Sequence, residues 1–394
     1  MMYDFATVID RSCMDSLKWN NMRALNPDVK EGIVPLTTAD MEFYSPPELT
    51  HGLSEYVRNT ILGYSQPTDD YRDSVIRWMK TRHNWDIKAE WITETQGVVN
   101  ALFISVNAFT EPGDGVIVMT PIYTNFFPAV QRNRRLLAEC PLKIDQSGAY
   151  EIDYELLEHL AHMEKNKLLL FCSPHNPVGR VWTREELERV GDICCRNHVL
   201  IVSDEVHSDI IMPGYEHSVF GNLSERIAEN TIVCTSPSKS FNIAGLKISN
   251  ILISNDELRA KFRSSIEESF LSIRVNTLGY RACVHAYNEC GEWLRQLNMK
   301  IHENSLLTAG FLAEELPDIR MSAHEGTFML WLDFRKLGFA EEKLSEVLNF
   351  DAQVFLEKGS EFGKQGSGFQ RMNIAAPTPV IQKALERMAA VLKR

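Results

Sequence analysis

Lys239 closes the run Ser236-Pro237-Ser238-Lys239, directly behind an apolar stretch, Thr231-Ile232-Val233-Cys234-Thr235. The stretch reads as a buried strand. It would deliver the lysine amine to the strand's C-terminal edge, where open α/β sheets bind their ligands. An amine there can condense with a carbonyl, and Ser236 and Ser238 offer hydroxyls to a phosphate. Taken alone, these four residues fit a surface lysine in a Ser-Pro turn better.

Two further polar residues follow two further apolar runs. Asn176 lies in Ser173-Pro174-His175-Asn176-Pro177-Val178-Gly179, after Leu168–Cys172, and Asp204 lies in Ser203-Asp204-Glu205-Val206-His207, after Val199–Val202. A lone Asn-Pro is usually a turn and a lone Asp after a strand is usually a helix cap. All three residues at successive strand ends of a parallel sheet would converge on one edge. Pyridoxal phosphate needs such a set. Its pyridine nitrogen must stay protonated to accept electrons, which calls for a buried carboxylate, and Asp204 fits. Its ring oxygen needs a donor, which the Asn176 amide supplies, and its aldehyde needs the Lys239 amine. At an ordinary pKa near 10.4, well under about 1% of a lysine is free amine at pH 7, so the pocket must be apolar or hold other cations. The phosphate needs a cradle. Thr95-Gln96-Gly97-Val98-Val99-Asn100-Ala101-Leu102 reads as a loop entering a helix, whose N-terminal amides bind anions. Lys247 adds a charge on the next turn of chain, although a solvated surface lysine fits that position equally well.

The elements that must position these residues alternate along the middle of the chain. Val116–Met119, Leu168–Cys172, Val199–Val202 and Ile232–Cys234 are short apolar runs separated by amphipathic helical patterns, among them Thr183 to Asn197 with a capping box of Thr183 and Glu186. Such alternation implies a mostly parallel sheet covered on both faces. Ile248 to Ser254 reads as one more strand, with an antiparallel place at the sheet's side open to it. A long helical pattern, Gly291 to Glu315, precedes an apolar run, Thr327–Leu332, and a glycine-rich loop at Gly363 to Gly368. The expected organisation is a large α/β domain at 46–289 and a smaller α+β domain assembled from 1–45 and 290–394.

Composition narrows the class. With 394 residues, 44% hydrophobic and 24% charged, the chain reads as an ordinary globular protein, and its net charge of −12 argues against nucleic-acid or anionic-membrane partners. No apolar stretch approaches the ~18 residues of a membrane span. The start, Met1-Met2-Tyr3-Asp4-Phe5, lacks the features of a signal peptide. The reading is cytoplasmic, with Cys172, Cys194, Cys195 and Cys234 buried and reduced. His159 and His162 share a charged helical segment with nothing to complete a metal site, and none is expected.

At this point the chain resembles a known group, the fold-type-I pyridoxal-phosphate enzymes of the class I/II aminotransferase superfamily. Within it the chain is most similar to the MalY/PatB-type cystathionine β-lyases (C–S lyases). The motifs are Ser-Pro-His-Asn-Pro-Val-Gly at 173–179, Ser-Asp-Glu-Val-His-Ser-Asp at 203–209 and Pro-Ser-Lys-Ser-Phe-Asn-Ile-Ala-Gly-Leu at 237–246, with Arg82-His83-Asn84-Trp85 and Ala39-Asp40-Met41-Glu42-Phe43 beside them. The resemblance implies that Lys239 is the Schiff-base lysine, Asp204 the pyridinium partner and Asn176 the donor to the ring oxygen, with His207 near that atom. It implies that Tyr123 stacks on the ring, and that Gly97, Val98, Ser236 and Ser238 hold the phosphate. It places Tyr64 at the neighbouring subunit's cofactor, hence a homodimer, and Arg371 on the substrate α-carboxylate.

Three departures from the family's pattern stand out. Where the family often has Pro-Met-Trp-Val-Ala-Asp-Met, this chain has Pro35-Leu36-Thr37-Thr38-Ala39-Asp40-Met41, and Thr95-Gln96-Gly97 replaces Thr-Pro-Gly. Lys247 stands where many such lyases carry an uncharged residue and aminotransferases carry a cation. The expected reaction is α,β-elimination from cystathionine, cysteine or a related S-conjugate. An aminotransferase is the nearest rival, and an interaction protein on a retired scaffold the rival from another class. A nicotinamide dehydrogenase is disfavoured, since no strand is followed by Gly-x-Gly-x-x-Gly.

Overall fold

The computed structural model describes residues 2–145, 148–269 and 274–393. Its strands, in chain order, are β1 (Ile92–Thr95), β2 (Gly115–Val118), β3 (Leu136–Glu139), β4 (Lys143–Ile144), β5 (Tyr150–Glu151), β6 (Asn166–Cys172), β7 (Leu200–Asp204), β8 (Thr231–Thr235) and β9 (Ser249–Leu252). They are followed by β10 (Arg320–Met321), β11 (Met329–Asp333), β12 (Glu357–Lys358) and β13 (Phe369–Asn373).

Seven strands form the large sheet, in the order β1-β9-β8-β7-β6-β2-β3. The β3-β2-β6-β7-β8 block is parallel throughout. Because β9 pairs antiparallel with both β8 and β1, it alone runs against the others. β9 therefore sits between two strands and not at the sheet's side, which corrects the sequence expectation. The edge place belongs to β1, a four-residue Ile-Thr-Glu-Thr segment with too little apolar character to stand out.

The apolar runs alternate between two cores because successive strand side chains point to opposite faces. Leu168, Leu170, Cys172, Val202, Ile232 and Cys234 pack on the face covered by the Val98–Phe109 helix. Leu169, Phe171, Ile201 and Val233 join the larger core on the other face. The Arg184–Arg196 helix covers that larger core through buried Leu187, Val190 and Ile193, and its Thr183–Glu186 capping box is formed. Cys172, Cys194 and Cys234 are buried as expected, whereas Cys195 is only half-buried, at the edge of the same helix.

A second sheet, β10-β11-β13-β12, is antiparallel. It is wrapped by the Gly291–Glu315 helix and by residues 36–42, where Leu36 exchanges backbone bonds with Phe355 and Asn373. Among the described residues no helix is long and apolar enough to cross a membrane. The turn that carries the chain from β12 to β13 folds back so tightly that a Cβ on Gly359 would collide with the backbone carbonyls of Gly366 and Phe369. Neither carbonyl can move without moving β13. Gly359→Ala should therefore destabilise the protein by about 1–3 kcal/mol, read as a lower denaturant midpoint at unchanged slope.

Candidate active site

Strand register brings the polar residues together. Cys172 pairs with Asp204, and Asp204 with Cys234, so three parallel strands end level. Ser173 and Glu205 continue the ladder with backbone bonds to Asp204 and Cys234, and beyond them the chain turns away. The space above these ends is a cavity of about 360 Å³, within the range of small-ligand sites. Asn176, Asp204, His207, Ser236, Ser238, Lys239, Tyr123, Gly97, Val98 and Lys247 all line it.

Lys239 lies on a single helical turn, Pro237–Ser240, which starts at Ser236. The Ser236 hydroxyl accepts from the Ser238 N–H at 3.1 Å and donates to the Ile248 carbonyl at 2.5 Å, which locks the turn against β9. Ser240 donates to the buried Asp209 carboxylate at 2.6 Å, fixing its other end. The Lys239 ammonium donates to the Ala39 carbonyl at 2.6 Å. Burial pushes its pKa down to about 8, with Asp40 opposing and Arg371 adding to that shift. About a tenth of the amine is then free at pH 7, against well under about 1% for an exposed lysine.

Asp204 has the opposite problem. Burial raises its carboxyl pKa to about 7, against the pull of the Val206 N–H and the charge of Lys239. Among the described residues the carboxylate accepts one hydrogen bond, from that N–H, at 3.2 Å. A carboxylate so desolvated and so thinly partnered is built to receive a cation or a proton donor. His207 is neutral, its pKa driven well below the usual value by burial, and its Nδ1 is buried without a partner among the described residues. Tyr123 accepts a hydrogen bond from Asn125 at 2.6 Å and is raised in pKa by burial.

At the far end of the cavity, Gly97 adopts φ +88° and opens the Val98–Phe109 helix. That backbone favours glycine, and the buried Ala101, Leu102 and Val106 anchor the helix, whose first turn lines the cavity and so brings an anion-binding helix N-terminus to it. Lys247 is exposed, in a left-handed turn at φ +47°. Tyr64 lies outside the cavity of its own chain and is fully exposed.

Arg371 reaches the site from the second sheet, on β13, buried to 3% exposure. Its Nη1 donates to Asn176 Oδ1 at 2.8 Å, which leaves the Asn176 amide NH₂ as that side chain's donor. Its guanidinium lies 4.6 Å over the Phe362 ring, and Nη2 forms an ion pair with Glu357. Glu357 and Ala39 were missed by sequence reasoning. Glu357 is brought in by its cross-strand pairing with Arg371, which no local motif announces. Ala39 acts through its backbone, and only the neighbouring Asp40-Met41 pattern marked the segment.

The residues present fit pyridoxal phosphate. The thinly partnered Asp204 matches a protonated ring nitrogen, the unpaired His207 nitrogen and the Asn176 amide match polar ring substituents, and the helix N-terminus matches a phosphate. The fold and this arrangement define the class: an α/β enzyme with the fold of type-I pyridoxal-phosphate-dependent transferases. The chain belongs to the class I and II aminotransferase family, whose model matches residues 32–388. It is 38% identical to cystathionine β-lyase PatB of Bacillus subtilis (strain 168), over 97% of this chain and 98% of that protein. Protein MalY of Escherichia coli (strain K12) is 28% identical over 98% of this chain and 97% of its own length. Cystalysin from Treponema denticola, a structure that contains pyridoxal 5'-phosphate, superposes with a TM-score of 0.97 at 46% identity, covering 100% of this chain and 99% of that one. An aspartate aminotransferase from Bacillus sp. (strain YM-2) is more distant, at 26% identity over 95% of this chain and 94% of its own.

The Asp204 shift has a measurable consequence for ligand-free protein. A carboxyl whose pKa is raised on folding stabilises the fold below its unfolded pKa, and that contribution is lost as pH rises through the folded value. For Asp204 the window runs from about 3.8 to about 7. Asp204→Asn removes the titration. The ligand-free variant should gain about 2–4 kcal/mol over wild type as pH rises from 4 to 7, read from urea midpoints, with the margin flat at higher pH.

Proposed function

We propose that this chain is a pyridoxal-phosphate-dependent carbon–sulfur β-lyase acting on cystathionine, cysteine or related cysteine S-conjugates. The observation that carries the reading is one cavity in which a lysine amine of lowered pKa and a desolvated carboxylate face the same space, with a buried arginine hydrogen-bonded to the cavity-lining Asn176. Pyridoxal phosphate, when bound, supplies an aldehyde that condenses with amines and a ring that accepts electrons. Asp204 would keep the ring nitrogen protonated, with Asn176 and His207 at the ring oxygen and Tyr123 on the ring face. Gly97, Val98, Ser236, Ser238 and Lys247 would hold the phosphate.

Arg371 would grip the substrate α-carboxylate as a planar two-donor group. With that end fixed, the substrate Cα–H would come within reach of Lys239. Its amine, released by the incoming substrate amine, takes the α-proton. Burial favours this step because it lowers the Lys239 pKa to about 8 and so raises the fraction of free amine. Loss of thiolate from Cβ and uptake of one water then give thiol, pyruvate and ammonia.

The lyase reading is supported by the names of the relatives aligned over nearly the whole chain. Transamination, in which an added 2-oxo acid accepts the amino group, is the second reading, favoured by Lys247 at the phosphate end. Tyr64 and its exposed neighbours Ile61 and Leu62 support a homodimer in which Tyr64 completes the partner's site. We also propose the division into a large domain at 46–289 and a small one at 1–45 with 290–394, and a cytoplasmic location.

Incubation with cystathionine or cysteine alone should release thiol and pyruvate in equal amounts. Strict dependence on an added 2-oxo acid would instead establish transfer. Lys239→Ala should abolish turnover and the cofactor's visible absorbance. Arg371→Lys should raise KM by about tenfold or more, since a point charge replaces a bidentate fork.

A further inference from the structure

Arg371 is held by one oxygen of a carboxylate that does not fit it fully. Glu357 pairs with Nη2, yet Nε, the donor beside Nη2 on the same edge of the guanidinium, is buried without an acceptor among the described residues. That edge is a two-donor fork that a free carboxylate fills with both oxygens. Glu357 cannot do so, because its other oxygen accepts the Thr38 backbone N–H at 3.1 Å. Thr38 is itself in an unusual conformation for a β-branched residue, at φ +30°. Strain of that kind persists where surrounding structure enforces it. Glu357 also borders a second cavity of about 240 Å³, lined by Lys18, Thr38, Lys358 and Glu361 among others. The glutamate side chain has both a tether and somewhere to go.

We propose that Glu357 is an internal stand-in for the substrate carboxylate. It occupies Arg371 while no amino acid is bound, and it swings into the adjoining cavity when a substrate carboxylate takes both Nε and Nη2. The inference rests on the reading of Arg371 as the carboxylate clamp. Glu357 offsets the burial of a bare guanidinium in the empty site, and the substrate binds only by displacing it. Affinity for α-amino acids is thereby lowered, and amines without a carboxylate gain nothing from Arg371.

The test uses the holoenzyme as wild type, Glu357→Gln, Glu357→Ala and Arg371→Lys. L-Alanine, which has no leaving group, is titrated by cofactor absorbance, with ethylamine as the carboxylate-free control. In both Glu357 variants the alanine Kd should fall by about tenfold, the ethylamine response should be unchanged, and KM for cysteine should fall in parallel. A Kd that stays level or rises in Glu357→Gln, while Arg371→Lys weakens alanine, overturns the proposal and makes Glu357 a positioning residue. Unweakened alanine binding in Arg371→Lys would instead remove the underlying assignment of Arg371. If Glu357→Ala fails to fold, the isosteric Glu357→Gln decides alone.

Discussion

Asp204 ends β7 with its carboxylate cut off from water, and much of the site follows from that placement. A parallel sheet buried on both faces offers no solvent at the level of its strand ends, so an acid placed there is costly unless something cationic arrives. The neighbours at the same level, Cys172 and Cys234, are apolar thiols whose own pKa values burial drives well up. They cannot share charge with Asp204. Lys239 is near enough to lower the Asp204 pKa but is engaged with the Ala39 carbonyl. The acid and the amine are thus kept poised and apart, each pushed towards its neutral form by the same desolvation. A ligand with a cationic ring nitrogen and a carbonyl answers both demands at once.

Residues 36–43 tie this sheet edge to the second sheet. Asn373, two residues after Arg371, donates from its side chain to the carbonyls of Thr38 and Asp40 at 2.8 and 2.7 Å. Met41 N–H donates to Asn242 Oδ1 at 2.9 Å, just beyond the Lys239 turn. Behind the segment, the buried Lys18 ammonium lies 2.9 Å from Asp40 and 2.7 Å from Glu42, and Arg11 pairs with the same two carboxylates. Breaking such a network by removing one partner leaves an uncompensated buried charge. The segment is consequently held as one piece, and Ala39 presents its carbonyl to Lys239 from a fixed position.

The legible parts of the molecule were those with a local signature. Continuous apolar runs marked β2, β6, β7 and β8, because strands buried on both faces need no polar alternation. The Thr183–Glu186 pair marked a helix start, because its two hydrogen bonds are made within four residues. Lys239, Asp204 and Asn176 could be grouped because parallel register makes strand ends converge. β1 and β3 escaped because both are short segments carrying polar residues, β3 at a partly exposed sheet edge. The place of β9 escaped because an apolar segment says nothing about which neighbours it pairs with. Glu357 escaped for a similar reason. Its role exists only through the pairing of β12 with β13, and cross-strand partners leave no trace in spacing.

The charge arrangement explains why a lysine can act as a base beside an arginine. Arg371 depresses the Lys239 pKa, whereas Asp40, Asp204 and Glu357 raise it, and burial outweighs each of them. Were Arg371 unneutralised in the empty site, a guanidinium stripped of water would stand with half its donors idle. Glu357 pairs with that charge and the Phe362 face covers it. On the proposed reading, an entering amino acid would bring its carboxylate to Arg371 and its ammonium to a pocket whose burial disfavours cations. The substrate nitrogen would then lose its proton more readily than in water, as burial makes Lys239 do. The same desolvation that makes Asp204 costly in the empty protein prepares both amines for exchange.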